Sequence, residues 1–141
     1  MSLRLKILFG SVLLLLATTA SLLIWNGSTT QTAHANLIRV DEPHQNQIIK
    51  SPLVITGKAR GMWYFEATFP VKLLDETGNV IARGSVQAQG EWMTNQFVPF
   101  RVELLFAKPE SKRGMLVLEK SNPSDLAENE DSIKIPVLFE N

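Results

Sequence analysis

The sequence has 141 residues, which is enough for one domain and too short for two. Of these residues 45% are hydrophobic and 20% are charged, a composition typical of a folded protein. Its 14 basic and 14 acidic residues form no basic stripe or block that could neutralise phosphates, which argues against nucleic acid as a partner. The chain contains no cysteine, so neither a disulfide nor attachment through a lipidated cysteine is expected.

The N-terminal segment predicts a membrane helix. Residues 7–25 carry no charge and follow Arg4 and Lys6. As a helix they would span roughly 28 Å, close to the thickness of a bilayer core. The basic residues before the span predict a cytoplasmic N-terminus and an extracytoplasmic C-terminal domain. We therefore predict a single-pass protein of the cell membrane, with residues 1–25 as the anchor or signal segment.

A signal-peptidase site is the alternative at this end of the chain. Ala33-His34-Ala35 has the small-x-small form of such a site, and cleavage there would release a secreted protein. The apolar run is longer than the roughly 7 to 15 residues of a cleaved signal, which favours a retained helix. Residues 26–36 are small and polar, which predicts a flexible tether, and residues 37–141 form the predicted domain.

The domain shows alternation of apolar and polar residues with period two, and no sustained period of 3.6. The hairpin turn at 75–79 contains Gly78, and further turn signals separate the other runs. These features predict an all-β fold, an immunoglobulin-like antiparallel β-sandwich of seven or eight strands preceded by one N-terminal hydrophobic helix. The predicted strands are 37–40, 53–60, 63–69, 71–75, 80–87, 97–106, 115–120 and 132–139.

Residues 59–71, "ARGMWYFEATFPV", place four aromatic side chains around one glutamate. An acid among rings could have a raised pKa and transfer protons, or the rings could form a binding surface. Alternation along a strand instead puts Trp63, Phe65 and Phe69 on the core face and Glu66 on the opposite face. We therefore predict a core strand, with Glu66 among the outward residues.

The sequence offers few groups for catalysis. The only histidines are His34 and His44, and no Gly-rich phosphate loop or dinucleotide fingerprint is present, so no catalytic residue, cofactor or metal site is predicted. The remaining enzymatic alternative is a carbohydrate-active enzyme that uses Glu66 and Glu91 as paired carboxylates about 5 to 9 Å apart. The acidic loop 122–131 could hold calcium, but it lacks the order of a known calcium loop, and a solvated turn is favoured.

A second aromatic stretch, residues 90–100, contains Trp92 and Met93 in a predicted loop. Large apolar groups in a loop can form a recognition surface, or they can close the open end of a sandwich. For this stretch, closure of the open end is favoured. Both alternatives stay open. The candidate partner contacts are Trp63, Tyr64, Trp92, Met93, Arg60 and Glu66.

Taken together, "ARGMWYFEATFPV", "GEWMT", "FVPF" and "NPS" followed by "IPV" resemble the immunoglobulin-like domain of bacterial spore germination proteins, a GerMN-associated domain. The resemblance covers 37–139. It implies an extracytoplasmic immunoglobulin-like sandwich with no established enzymatic activity and no agreed ligand, and it supplies no catalytic residues.

The resulting prediction is a non-enzymatic module that mediates protein or glycan contacts in the bacterial cell envelope, with a link to sporulation or germination through the resemblance. A purely structural spacer is the other alternative, and it would lack an exposed aromatic patch.

Overall fold

The structure is a computed structural model that describes residues 34–140, and in this range the chain is all-β, as predicted. It contains eight strands and two three-residue 3-10 helices, Gly61–Trp63 and Ala127–Asn129. In chain order the strands are β1 (Ile38–Glu42), β2 (Ile48–Ile49), β3 (Leu53–Arg60), β4 (Thr68–Asp75), β5 (Val80–Ala88), β6 (Phe97–Leu104), β7 (Arg113–Glu119) and β8 (Ser132–Phe139).

The strands form one hydrogen-bonded sheet in the order β1-β3-β6-β5-β4-β7-β8-β2. All neighbours are antiparallel except β2 and β8, which are parallel. All eight strands belong to a single sheet because β5 pairs with β4 along its length and with β6 at two positions, Gln87↔Arg101 and Ala88↔Phe100.

The sheet is strongly curled. Only residues 50–52 connect β2, at one end of the sheet, to β3, which lies beside the strand at the other end. Phe106 follows β6 and Phe139 ends β8, and in a flat sheet four strand spacings of about 4.8 Å would separate these strands. Their ring centroids are instead 6.0 Å apart. The two ends of the sheet therefore meet, and the apolar face is enclosed.

Alternation accounts for the core. In β6 the buried residues are Val98, Phe100 and Leu104, while the residues between them are exposed or half-buried. Because successive side chains of a strand point to opposite faces, one face of each strand contributes to the interior. The largest fully buried side chains are Trp63, Phe69 and Phe100, together with these smaller ones: Ile38, Ile55, Leu73, Leu116, Leu118, Ile133, Ile135, Val71 and Val86.

The predicted strand at 63–69 is wrong. Gly61–Trp63 is a 3-10 helix, and residues 65–68 form a tight turn in which Phe65 and Thr68 exchange backbone hydrogen bonds of 2.9 and 3.1 Å. Glu66 and Ala67, at the centre of this turn, have φ angles of 50° and 63°. Two successive positive φ angles are the geometry of a type I′ hairpin turn, so the chain reverses where a strand was expected. The short strand β2 was not predicted.

The turn between β4 and β5 is held by the Asp75 carboxylate. Asp75 Oδ1 accepts hydrogen bonds from Thr77 Oγ1 at 2.7 Å and from the backbone N–H groups of Thr77 and Asn79, both at 2.9 Å. Gly78 supplies the positive φ that closes the turn, at 88°. These bonds, that from the Thr77 hydroxyl above all, lower the pKa of Asp75 below its ordinary value.

The lowered pKa of Asp75 predicts a pH-dependent contribution to stability. A depressed carboxyl pKa stabilises the fold above the unfolded-state pKa, and the contribution is lost as the pH falls through the folded-state value. Asp75→Asn should therefore lower the thermal midpoint at pH 7. The difference from the parent should shrink as the pH falls below about 4. Thermal melts between pH 2.5 and pH 7 measure this difference, and Glu76→Gln, at the neighbouring exposed position, should show no such trend.

The chain enters the domain at His34. The His34 carbonyl accepts hydrogen bonds from the backbone N–H groups of Leu37 and Ile38, and its Nε2 lies 2.8 Å from Asp131 Oδ1. Its ring also lies edge-on to Trp63, with centroids 6.4 Å apart. Contacts with the domain thus start three residues before the predicted boundary at Leu37. The predicted membrane helix at 7–25 lies outside the described residues, and no helix within 34–140 is long and apolar enough to cross a membrane.

Candidate functional site

Trp63 and Tyr64, two of the predicted contact residues, belong to the core. Trp63 is fully buried and lies edge-on to Phe69, with ring centroids 6.4 Å apart. Tyr64 is 4% exposed, and its hydroxyl donates a hydrogen bond of 2.8 Å to the Val98 carbonyl. Burial raises the pKa of Tyr64 above its ordinary value. Neither side chain is available to a partner at the surface of this structure.

Two loops meet at the end of the domain where β3 ends and β6 begins. One contains the 3-10 helix and turn at 61–67, and the other is 89–96. At Gly61 a side chain is impossible, because a Cβ atom there would overlap the carbonyl oxygens of Trp92 and Thr94. The absence of a side chain at Gly61 lets the two backbones touch. We call this surface, formed by 61–67 and 89–96, the loop end.

The loop end exposes large apolar side chains. Met93 is 74% exposed, Met62 is 59% exposed and Phe65 is 45% exposed. Trp92, next to Met93 in the second loop, is half-buried and packs against the core. Trp92 therefore helps to close the end of the domain, whereas Met93 faces solvent. Met93 was predicted as a contact residue from the sequence, whereas Met62 and Phe65 were not. Phe65 was missed because the predicted strand at 63–69 placed it on the core face.

Arg60 and Glu66, the two charged candidates, lie at opposite sides of the first loop. Arg60 Nε donates to the Asn36 carbonyl at 3.1 Å, and Arg60 Nη1 donates to the Asn95 carbonyl at 3.0 Å. The guanidinium also lies over the Phe97 ring, 4.2 Å from its centroid. Arg60 therefore ties the entering chain to the second loop. Glu66 is exposed at the tip of the 65–68 turn.

The carboxylate pair of the enzymatic alternative gains no support from its surroundings. Glu66 and Glu91 are both exposed, and Glu91 Oε1 accepts a hydrogen bond of 3.4 Å from the Met93 backbone N–H group. Within 34–140, no three His, Asp or Glu side chains cluster in a way that could hold a metal ion, and this range includes the acidic loop 122–131.

A cavity of about 590 Å³ lies away from the loop end, between the β4–β5 turn and strands β7 and β8. Its lining includes Asp75, Arg113, Met115 and Lys134. The charges are mixed in sign, and none of the six predicted contact residues lines it. The cavity therefore does not connect with the loop end.

A protein-family model matches the part of the chain that contains the loop end. The model of the immunoglobulin-like domain of bacterial spore germination matches residues 37–127, which is more than half of the chain. The chain belongs to this family. The match includes both loops of the loop end and every strand except β8. The resemblance found in the sequence is thereby confirmed. No curated protein and no solved structure matches the chain.

Membership of the family bears on the kind of site to expect. Its description names an immunoglobulin-like domain and no catalysed reaction. The exposed groups of the loop end are thioether, phenyl, carboxylate and amide side chains, and neither 61–67 nor 89–96 contains a histidine, cysteine or serine. Such a surface can bury apolar area against another molecule.

Proposed function

We propose that the chain is a non-enzymatic module of the bacterial cell envelope, which makes protein or glycan contacts through the loop end. The observation that carries the proposal is the exposure of Met62, Phe65 and Met93 on two loops that the backbone contact at Gly61 holds together. Exposed apolar groups gathered on one surface of a domain are typical of interaction sites, and methionine adapts readily to a partner's shape.

For the fold, we infer an immunoglobulin-like sandwich made from the curled sheet, with β1-β3-β6 as one layer and β5-β4-β7-β8-β2 as the other. The two registered pairs between β5 and β6 are then the corner where the layers join. The contact between the Phe106 and Phe139 rings supports this reading, because it connects strands of opposite layers. Family membership supports it independently.

For location, we propose that residues 7–25 anchor the protein in the cell membrane and that the domain lies outside the cell. The charge-free run and the basic residues before it support this orientation. His34 and Arg60 connect the entering chain to the loop end, so the proposed anchor would hold that end of the domain toward the membrane. The partner is then a molecule of the membrane surface or of the adjoining wall.

The proposal predicts that polar substitutions at the loop end weaken partner capture and leave the fold intact. The double variant Met62→Ser, Met93→Ser should capture a partner about tenfold less efficiently, because buried apolar anchors dominate interface energies. Its unfolding free energy should change by less than about 0.5 kcal/mol, since both side chains are exposed. Quantitative pull-down from envelope extracts, with the full chain as bait, measures the first quantity, and thermal melting measures the second.

Leu105→Ser is the matched control, because Leu105 is 71% exposed and follows the opposite end of β6. It should capture the partner as efficiently as the parent chain. If the control and the loop-end variant lose capture equally, or if neither loses any, the loop end is not the contact surface. The second result would favour the structural spacer.

A further inference from the structure

Three cationic side chains surround one aromatic ring on the outer face of the β1-β3-β6 layer. Arg39 and Arg60 place their guanidinium carbons 4.7 and 4.2 Å from the centroid of Phe97, and Lys58 places its Nζ at 5.8 Å. The negative face of the ring stabilises the cations and so offsets part of their mutual repulsion. We call Arg39, Lys58, Arg60 and Phe97 the basic face.

The strand register explains why these charges gather. Arg39 of β1 pairs with Lys58 of β3, and Arg60 of β3 pairs with Phe97 of β6. All four therefore occupy adjacent rows on the side of the layer that points away from the core. Of the acidic residues of the same strands, Asp41 follows Arg39 by two residues in β1, Glu42 is opposite Thr56 and Glu103 is opposite Val54. The two rows that hold the basic face contain no acidic residue.

The positive charges of the basic face are uncompensated. In the range 34–140 none of its three cations forms an ion pair with a carboxylate, whereas His34, His44 and Lys72 each face one. Arg39 Nε donates to the Ala35 carbonyl at 2.6 Å, and Arg60 donates to the carbonyls of Asn36 and Asn95. These neutral acceptors hold the guanidinium groups in position without cancelling their charge, so the face is suited to an anion supplied from outside.

The position of the basic face identifies the nearest anionic surface. Arg39 and Arg60 both hydrogen-bond the chain where it enters the domain, at Ala35 and Asn36. From residue 25, the end of the proposed membrane span, nine residue steps lead to His34. Even a fully extended chain covers at most about 30 Å in nine steps. A bilayer that holds residues 7–25 would thus always be close to this face.

We propose that the basic face docks on anionic phospholipid headgroups of the membrane that anchors the chain. The inference rests on the proposed anchoring for its geometry, and it goes beyond the loop-end contacts because it involves other side chains and another partner. Phosphate groups accept hydrogen bonds from guanidinium and ammonium groups, and each basic residue near an anionic bilayer adds to the attraction. Docking would fix the orientation of the domain relative to the membrane.

Energy transfer from the domain to the bilayer tests the proposal. The full chain, which has no native cysteine, receives one fluorophore at Pro99→Cys, beside Lys58 on the same layer, and is reconstituted in lipid nanodiscs with a headgroup-labelled acceptor. Transfer should be higher with 30% phosphatidylglycerol than with pure phosphatidylcholine, and 0.5 M salt should abolish the difference by screening. A fluorophore at Ile48→Cys, an exposed position in β2, should show little dependence on lipid charge.

Charge variants assign the effect to the basic face. Lys58→Gln should lower the ratio of docked to undocked domain about fivefold, the effect expected for one charge at an anionic surface. Lys50→Gln, which makes the same charge change at an exposed residue outside the face, should leave the ratio unchanged. Equal losses in the two variants, or transfer that is independent of lipid charge and salt, would overturn the proposal.

Two further outcomes distinguish lipid docking from binding of an anionic polymer and from failure of the proposed membrane anchoring. Binding of soluble polyphosphate without any lipid-dependent transfer would assign the basic face to an anionic polymer and overturn the lipid assignment. Failure of the full chain to enter nanodiscs of either composition would contradict the anchoring, and the lipid proposal with it. Since the assay contains lipid and no other protein or glycan, loss of the loop-end contacts would not affect its result.

Discussion

Replacing Trp63 with alanine is expected to lower the free energy of unfolding by about 3 to 5 kcal/mol, the range for truncation of large buried aromatic side chains. Trp63 is fully buried between Phe69 and His34, so the variant leaves a cavity at the end of the core. Its Nε1 has no hydrogen-bond partner among the described residues, so the loss is one of packing. The thermal midpoint should fall by more than about 10 °C.

Met62→Ala is the control for Trp63→Ala, because Met62 precedes Trp63 in the same 3-10 helix and is 59% exposed. Its unfolding free energy should stay within about 0.5 kcal/mol of the parent value. Urea titration of both variants measures the two differences. A stable Trp63→Ala variant that had lost a partner would show that Trp63 is a surface contact, contrary to its burial in the structure.

Replacing Gly57 with alanine is expected to destabilise the domain by about 3 kcal/mol, at the upper end of the range for overpacking. A Cβ atom at Gly57 would overlap the Arg39 carbonyl oxygen and would lie 2.6 Å from Phe100 Cζ and 2.9 Å from Val40 Cα. Two of these atoms belong to the backbone of β1, which cannot move without breaking its pairing with β3. Hydrogen exchange should therefore accelerate most at the β1 amides.

Gly90→Ala provides the comparison for Gly57→Ala. A Cβ atom at Gly90 meets no atom within 4 Å, and its backbone does not have a positive φ. Its unfolding free energy should change by less than about 0.5 kcal/mol. If the two glycine variants were equally stable, the close approach of β1 to β3 at Gly57 would be incorrect.

The strands could be predicted where one face of the chain is buried. The bounds 53–60 and 132–139 coincide with β3 and β8, because alternation continues to both ends of each strand. The pairing of the strands could not be predicted in the same way. The curl that brings Phe106 to Phe139 and the parallel pairing of β2 with β8 depend on contacts between residues far apart in the sequence. β2 itself has two residues, too few to show a period.

The segment at 63–69 could not be predicted from alternation, because it has no residue typical of the turn that it forms. Type I′ turns favour asparagine and glycine, whereas this one has Glu66 and Ala67 at its centre. The wrong strand prediction reversed the expected exposure of two aromatic side chains. Tyr64, expected to face outward, is buried, and Phe65, expected in the core, is 45% exposed.

The second loop was read more accurately than the first. The sequence left open whether Trp92 and Met93 close the end of the domain or contact a partner, and the structure divides the two roles between them. Trp92 packs on the core and Met93 faces solvent. The basic face was not predicted, because Arg39, Lys58 and Phe97 meet only through strand register.

Site-specific photo-crosslinking in living cells tests most directly whether the loop end is the contact surface of an envelope module. A photoreactive amino acid replaces Met93 in one full-length chain and Leu105 in another, two positions of similar exposure at opposite ends of β6. Position 93 should give a discrete adduct with an envelope protein or glycan, and position 105 should give none. The same adducts from both positions, or none from position 93, would contradict the assignment of the loop end as the contact surface.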